Sequence, residues 1–335
     1  MPRERSTSTD VARRAGVSRA TVSYVLNGRA DQSIPEATRQ RVLTAAHELG
    51  YVPNAASRAL RGGRSHLVVL VNSGMPWSTN ITDVEDRLTA DVAASGRSLV
   101  VWRRPGPDDL AATLANLEPC ILIALDPLSA AEREVLATVG VPLVEADPGH
   151  PGTDPSPRVQ AERLVGGGHS RLGYLTTSEP SLRRFAEPRT AGFREACRSL
   201  GLPEPRVGEV LGGLAASVPA VADVLAGWLT GPEPVTAVAC FNDVHAAACV
   251  AAADGLGVAV PNALSVIGLD DEVFAPFIRP PLTTVRLDPL GFADDLWARC
   301  LHRLGEGGEP GAFVPSVRLV ERASVGVAQG SRETA

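Results

Sequence analysis

From Leu67 onward the chain alternates short apolar runs with amphipathic stretches, and that rhythm limits the fold more than any other feature. The runs are LVVLV (67–71), SLVVW (98–102), CILIAL (120–125), PLVEA (142–146), RLGYLT (171–176), VTAVAC (235–240) and LSVIGL (264–269). Segments of helical periodicity lie between them, among them 81–95, 189–200 and 242–255. Strands that alternate with helices build parallel, doubly wound sheets covered on both faces. Two such lobes fit the length. Crossings between them are expected near Pro155–Arg158, near 286–290 and near 312–316.

The first sixty residues follow another pattern. Thr7 and Asp10 form a T-x-x-D capping box that starts a short helix with Val11, Ala12 and Ala15 turned inward. Gly16 ends it, and Ser18 caps a second helix whose apolar face is Val22, Val25 and Leu26. A third helix is predicted from near Pro35 through Val42, Leu43, Ala46 and Leu49 to Gly50. Two short helices joined by a glycine turn, closed by a third, make a helix-turn-helix. A plain three-helix bundle with a solvated second helix is the competing reading. That helix, however, exposes Arg19, Ala20, Ser23, Tyr24 and Asn27 where a solvated face usually carries Glu–Lys pairs.

Charge sharpens the contrast. Residues 1–64 hold 11 arginines against five acidic residues, a net of +6, while the whole chain is at −6 and the remainder at −12. There is no lysine. A basic head on an acidic body is expected where one segment meets a polyanion. The five cysteines (120, 197, 240, 249, 300) show no metal-ligand spacing and fit reduced thiols inside a cell. No apolar run approaches the length of a membrane span, and the N-terminus lacks a signal-peptide core. A cytoplasmic protein is expected.

The segment STDVARRAGVSRATVSYVLNGRADQSIPEATRQRVLTAAHELGYVPNAASRALRGGRS resembles the headpiece of the lactose-repressor (galactose-repressor) family of transcription regulators. The shared pattern is D-V-A-x-x-A-G-V-S, T-V-S-x-V-L-N, T-R-x-R-V, L-G-Y-x-P-N and A-x-x-L. The loop GRADQSIPEAT is two residues longer than usual, and Tyr24 stands where many members carry arginine. The resemblance implies that the second helix lies in the major groove. There Arg19 can pair with a guanine, Ala20 can touch a thymine methyl, and Tyr24 can reach a base edge or a phosphate. Thr7, Ser18, Thr21, Ser23 and Asn27 suit phosphate contacts or capping, and Arg39 a phosphate. Downstream, Asn54 can cap a hinge helix that also holds Ser57, in place of a usual alanine, and Leu60. By resemblance Leu60 is the apolar wedge that kinks DNA in the minor groove; packing on the body is its alternative.

Resemblance to the same family continues through EPRTAGFREA, AVACFNDVHAAA, VPNALSVIGLDDEVFAPFIRPPLTTVRLD and VRLVERASVG, which look like its periplasmic-binding-protein-like sensor. Ligands of open parallel sheets bind beyond the C-terminal strand ends. Ser73, Asp147, Asn242 and Asp270 sit at such ends, with Arg189 expected at the start of its helix, and all five match pocket positions of the family. Trp77 offers a face for a sugar ring or is a core aromatic, and Asp270–Asp271 have a turn cap as their alternative role. The stretch 148–168 lacks the usual D-N-x-x-G-G signature, and Leu287 replaces a position that is often polar.

The expected architecture is an all-α helix-turn-helix head plus an α/β, two-lobed periplasmic-binding-protein-like body with parallel doubly wound sheets. It divides into 1–52 (headpiece), 53–64 (hinge helix and linker) and 65–330 (effector binding and dimerisation). The expected function is that of a repressor, a homodimer on pseudo-palindromic double-stranded operator DNA controlled by a sugar-like or polyol effector. A solute-binding or sugar/nucleoside-processing α/β protein is the alternative. The six histidines form no triad or metal pattern, and VGGGHS (165–170) lacks the lysine of a phosphate loop, so no catalytic residue, metal or cofactor is expected. The sequence closes soon after ERASVG without a leucine heptad, which favours a dimer over a tetramer.

Overall fold

A computed structural model describes residues 6–26, 34–51, 65–72, 78–103, 110–146, 154–211 and 217–328. The chain divides into two compact units after His66. In the head, helices α1 (Ser8–Ala15), α2 (Arg19–Leu26) and α3 (Glu36–Glu48) enclose Val11, Ala12, Ala15, Val22, Val25, Val42, Ala45 and Ala46. The capping box is formed: Thr7 N donates to Asp10 Oδ2 at 2.9 Å and Asp10 N to Thr7 Oγ1 at 3.4 Å. Gly16 takes a left-handed φ of 67°, which a side chain would resist, and so turns the chain into α2. Arg14 pairs with Glu48 at 2.8 Å, tying α1 to α3. Leu43 is not a core residue; it is 42% exposed. The buried stripe of α3 runs through 42, 45 and 46, and Leu43 falls one step off it.

The body's first sheet comprises β1 (Leu67–Val71), β2 (Ser98–Trp102), β3 (Ile121–Ala124) and β4 (Leu143–Glu145), parallel in the order β2-β1-β3-β4. Helices α4 (Thr79–Ala94), α5 (Leu110–Leu117) and α6 (Ala130–Val139) connect them. The second sheet has the order β10-β9-β8-β7-β5-β6. Its strands are β5 (Leu172–Thr177), β6 (Arg206–Val210), β7 (Ala237–Cys240), β8 (Ser265–Leu269), β9 (Thr283–Leu287) and β10 (Val317–Val320). All are parallel except β10, which runs antiparallel to β9. Its helices are α7 (Ser156–Gly166), α8 (Arg183–Ser199), α9 (Val218–Leu229) and α10 (Asp243–Gly255).

Helix α11 (Pro289–Leu304) follows β9 but belongs to the first lobe. Its Ala293, Leu296, Trp297 and Cys300 share a core with Val68, Val84, Leu88 and Val92. The chain therefore passes between lobes before α7, at Asp288 and between α11 and β10. Asp288 joins two of these passages, accepting from Gly291 N at 3.0 Å and from Ser316 Oγ at 3.2 Å.

Candidate functional site

The head presents one candidate surface. Ser18, Arg19 and Ala20 are exposed at the start of α2, and Thr21, Ser23 and Tyr24 are half-buried along it. Ser18 Oγ accepts from Thr21 N at 3.1 Å, so it caps the helix, and Thr7 is used likewise at α1. Arg19 has no ion pair or hydrogen bond among the described residues, and the first turn of α2 carries no acidic side chain. Arg39, on α3, lies 3.7 Å from Glu36. Asn27, Asn54, Ser57 and Leu60 lie outside the described residues.

In the body, strand ends of the second lobe meet helix α4 of the first in direct contacts, and the groups gathered there form the candidate cleft. Arg189 does not start its helix as expected from the sequence. Helix α8 begins at Arg183 and runs through Pro188, which places Arg189 in its second turn. The side chain is buried; Nε donates to Asp154 Oδ2 at 3.1 Å and Nη1 to the Phe241 carbonyl at 3.3 Å. The guanidinium stacks 5.1 Å from the Phe241 ring centre. Burial works to lower its pKa, and the Asp154 and Asp270 carboxylates reverse that and hold it fully charged. For Asp154, burial pushes the pKa up, while Arg189 and hydrogen bonding from Ser156 bring it below the ordinary carboxylate range.

Asn242 caps α10, its Oδ1 accepting from His245 N at 3.0 Å and approaching His245 Nδ1 at 2.6 Å. Its amide NH2 is therefore the group left to donate. Asp270 follows β8 with a φ of 110° and Asp271 with 56°, both in the range that side chains resist. The bend is held from below by Asp243, fully buried, which accepts from Glu272 N at 2.8 Å and Thr284 Oγ1 at 2.6 Å. Asp270 Oδ1 accepts from Asn80 Nδ2 of α4 at 3.1 Å. Burial raises its pKa to about 7, with Arg189 opposing and Glu272 and Asp154 adding to the rise.

Further polar contacts hold the lobes together. Glu272 Oε2 accepts from the Thr79 hydroxyl at 2.6 Å, and its carboxylate also takes the Thr79 N–H. Arg286 donates to Asp83 at 3.1 Å and Arg184 to Asp126 at 2.6 Å. These pairs join residues far apart in sequence, so no local motif marks them. Asp154 had one signal: it falls in the stretch where the family signature is missing. Ser73, Trp77 and Asp147 lie outside the described residues, while Leu287 packs against the second-lobe core. Guanidinium, amide and carboxylate thus converge at the ends of β5, β7 and β8, an arrangement able to bracket hydroxyl groups.

Among the described residues no set of three His, Cys, Asp or Glu side chains is arranged for a metal, and no helix is long and apolar enough to cross a membrane. The five cysteines are free and buried.

A helix-turn-helix head joined to a two-lobed binding-protein fold defines a DNA-binding regulator. Residues 7–54 match the bacterial regulatory proteins of the lacI family, and residues 161–325 match the periplasmic binding protein-like domain. The ribose operon repressor of Escherichia coli K12 is 30% identical over 300 residues, 84% of this chain and 87% of that protein. The transcriptional regulator CelR of Thermobifida fusca is 31% identical over 353 aligned positions, covering 96% and 99%. The lac repressor dimer bound to operator and the anti-inducer ONPF matches 97% of this chain and all of that one with a TM-score of 0.78 at 24% identity. A CelR–cellobiose complex matches 96% and 100% with a TM-score of 0.65 at 25% identity. The chain belongs to the lacI family of bacterial regulatory proteins and is a DNA-binding transcription regulator.

Proposed function

We propose that this regulator is a repressor that binds a pseudo-palindromic operator as a homodimer and responds to a sugar-like effector in the cleft of its body. The observation that carries the reading is the convergence of Arg189, Asn242 and Asp270 at the strand ends, opposite α4, in a chain that also carries the family's DNA-binding head. A solved relative holds cellobiose and another relative is named for a ribose operon, which supports a carbohydrate effector. Arg19 and Ala20 read bases, Tyr24 reaches a base edge or a phosphate, and Thr7, Ser18, Thr21, Ser23, Asn27 and Arg39 position the backbone or the caps. Asn54, Ser57 and Leu60 form the hinge, with Leu60 as wedge. Ser73, Trp77 and Asp147 complete the effector pocket.

Dimerisation is supported by β2, an edge strand with Val100 and Val101 exposed, since an open apolar edge calls for a cover. We read the protein as acting on DNA inside the cell and not as an enzyme, a reading supported by its relatives being transcription regulators. The test is selection of genomic fragments by the purified protein, followed by sugars added to the recovered complex. Enrichment of a two-fold symmetric site that a sugar weakens or strengthens is expected. Absence of any enriched site would overturn the reading.

A further inference from the structure

The charge balance of the cleft is lopsided. Four carboxylates, Asp126, Asp154, Asp270 and Glu272, meet two guanidiniums, Arg184 and Arg189. Each guanidinium is already engaged, Arg184 with Asp126 at 2.6 Å and Arg189 with Asp154 at 3.1 Å. Glu272 is answered by the backbone N–H and hydroxyl of Thr79. Neither Glu272 nor Asp270 has a cation at hydrogen-bonding distance among the described residues, and Asp270 has a single donor there, the neutral amide of Asn80.

That contact leaves a second acceptor stranded. Once ionised, Asp270 only accepts, and Asn80 turns its NH2 toward it. Its own Oδ1 is then a buried oxygen without a donor. On the same side, Asn72 at the end of β1 gives its NH2 to Glu85 at 3.2 Å and likewise buries an Oδ1 without a donor. Buried acceptors without donors are costly and call for a partner. An ammonium carries three donors, no acceptor and the missing charge. A hydroxyl supplies one donor and brings lone pairs of its own. An acid would meet the surplus of carboxylates with both arginines already paired. Arg184 keeps buried Nε and Nη1 donors without acceptors, which fit ligand hydroxyl or ring oxygens at the other end of the cleft.

We infer that the effector is a hydroxylated amine, an amino sugar or amino polyol, whose ammonium is seated between Asp270 and the Asn80 carbonyl oxygen, and that the cleft turns acids away. This rests on the cleft being the effector site. The ion pair of Asp154 with Arg189 is the selectivity device: with Arg184 already offset by Asp126, it leaves an acidic ligand no unbalanced cation at the Asp270 end.

The test is calorimetry on the full-length protein with glucose, galactose and mannose, each as the neutral sugar, the 2-amino-2-deoxy sugar and the uronic acid. At least one amino sugar is expected to bind about 10- to 100-fold more tightly than its neutral parent, the span of one charge-assisted contact. The uronic acids are expected not to bind. Asp270→Asn, which keeps the shape and removes the charge, should abolish the preference for the amine. Asp154→Asn should release Arg189 and let a uronic acid bind, a gain that misfolding cannot mimic. Failure of every amino sugar to bind, or tighter binding by neutral or acidic forms, would overturn the inference. If a neutral sugar binds best and is weakened by Asp270→Asn, the cleft stands and the amine falls. If the best ligand is indifferent to both variants, the cleft reading falls as well.

Discussion

In the head, Arg19 stands exposed at the start of α2 without a partner among the described residues, and no acidic side chain shares that turn. In the body, Arg189 is buried, hydrogen-bonded to Asp154 and stacked on Phe241. In the proposed function the same side chain is left open where its counterpart is a polyanion that arrives from outside, and is paired within the fold where the ligand is a small molecule. An exposed arginine loses little by waiting, because water solvates it. A buried one is costly without a carboxylate beside it. On the proposed reading, the body's cleft is organised before any ligand enters, whereas the head's surface is completed by DNA.

The sharpest break of that contrast is by salt. Binding through ~6–10 phosphates should lose about 10³–10⁵ in operator affinity between 50 and 200 mM salt. A fragment of residues 67–335 should retain no DNA affinity at any salt. Gel-shift titrations across that range check both, and DNA binding by the fragment would remove the division of labour. Next in size, Arg189→Ala leaves the half-buried Asp154 carboxylate without its cation and should cost the body ~1–3 kcal/mol in chemical denaturation. The paired change Asp154→Asn with Arg189→Met should recover most of it, as expected of an internal ion pair.

Arg19→Ala should cost ~1–3 kcal/mol of operator affinity and relax preference at one base pair per half-site. Arg39→Ala should weaken all sequences alike. Selection experiments on the two variants separate reading from positioning, and an unchanged base profile for Arg19→Ala would show that it does not read.

Much of the head was legible in the sequence because its signals are local. Thr7 and Asp10, Gly16, and the stripe of Val22 and Val25 act within one or two helical turns. In the body, β1 and β2 were visible end to end because their runs are apolar but for Ser98. Strands β6, β9 and β10 were not among the expected runs. Strand β9 is buried yet carries Thr283 and Thr284, whose hydroxyls are satisfied inside the fold, by Arg322 N–H and by Asp243. Strand β6 carries Arg206, Glu209 and Gly208, and a Cβ at 208 would lie 2.5 Å from Val224 and 2.9 Å from Trp228. Of the candidate cleft, the sequence pointed to Arg189, Asn242 and Asp270, with Arg189 set one turn too early in its helix, but not to Asp154, Asn80 and Glu272. Those three act through partners that only the tertiary fold supplies.

A smaller effect follows from Asp270. Burial holds its pKa near 7; Arg189 on α8 and Asn80 on α4 pull it down, while Glu272 in its own loop and Asp154 ahead of α7 push it up. A cationic ligand needs the ionised carboxylate and its own proton, which an amine next to a sugar ring sheds toward pH 8, so affinity for an amino sugar should rise by about 3- to 5-fold from pH 6 to pH 8. The neutral parent should show no such rise. Calorimetry at the two pH values checks the sign, and a fall with pH would contradict it.

The central claim is that the cleft of the body governs the DNA affinity of the head. Two sites coupled through one two-state element must influence each other reciprocally, typically by ~1–3 kcal/mol, or about 5- to 150-fold. The direct measurement is operator affinity of the wild type and of Asp270→Ala while the tightest-binding sugar is titrated. The account predicts that the variant binds operator like the wild type without ligand, and that its affinity changes only at a much higher ligand concentration. A response by both proteins at the same concentration would contradict it.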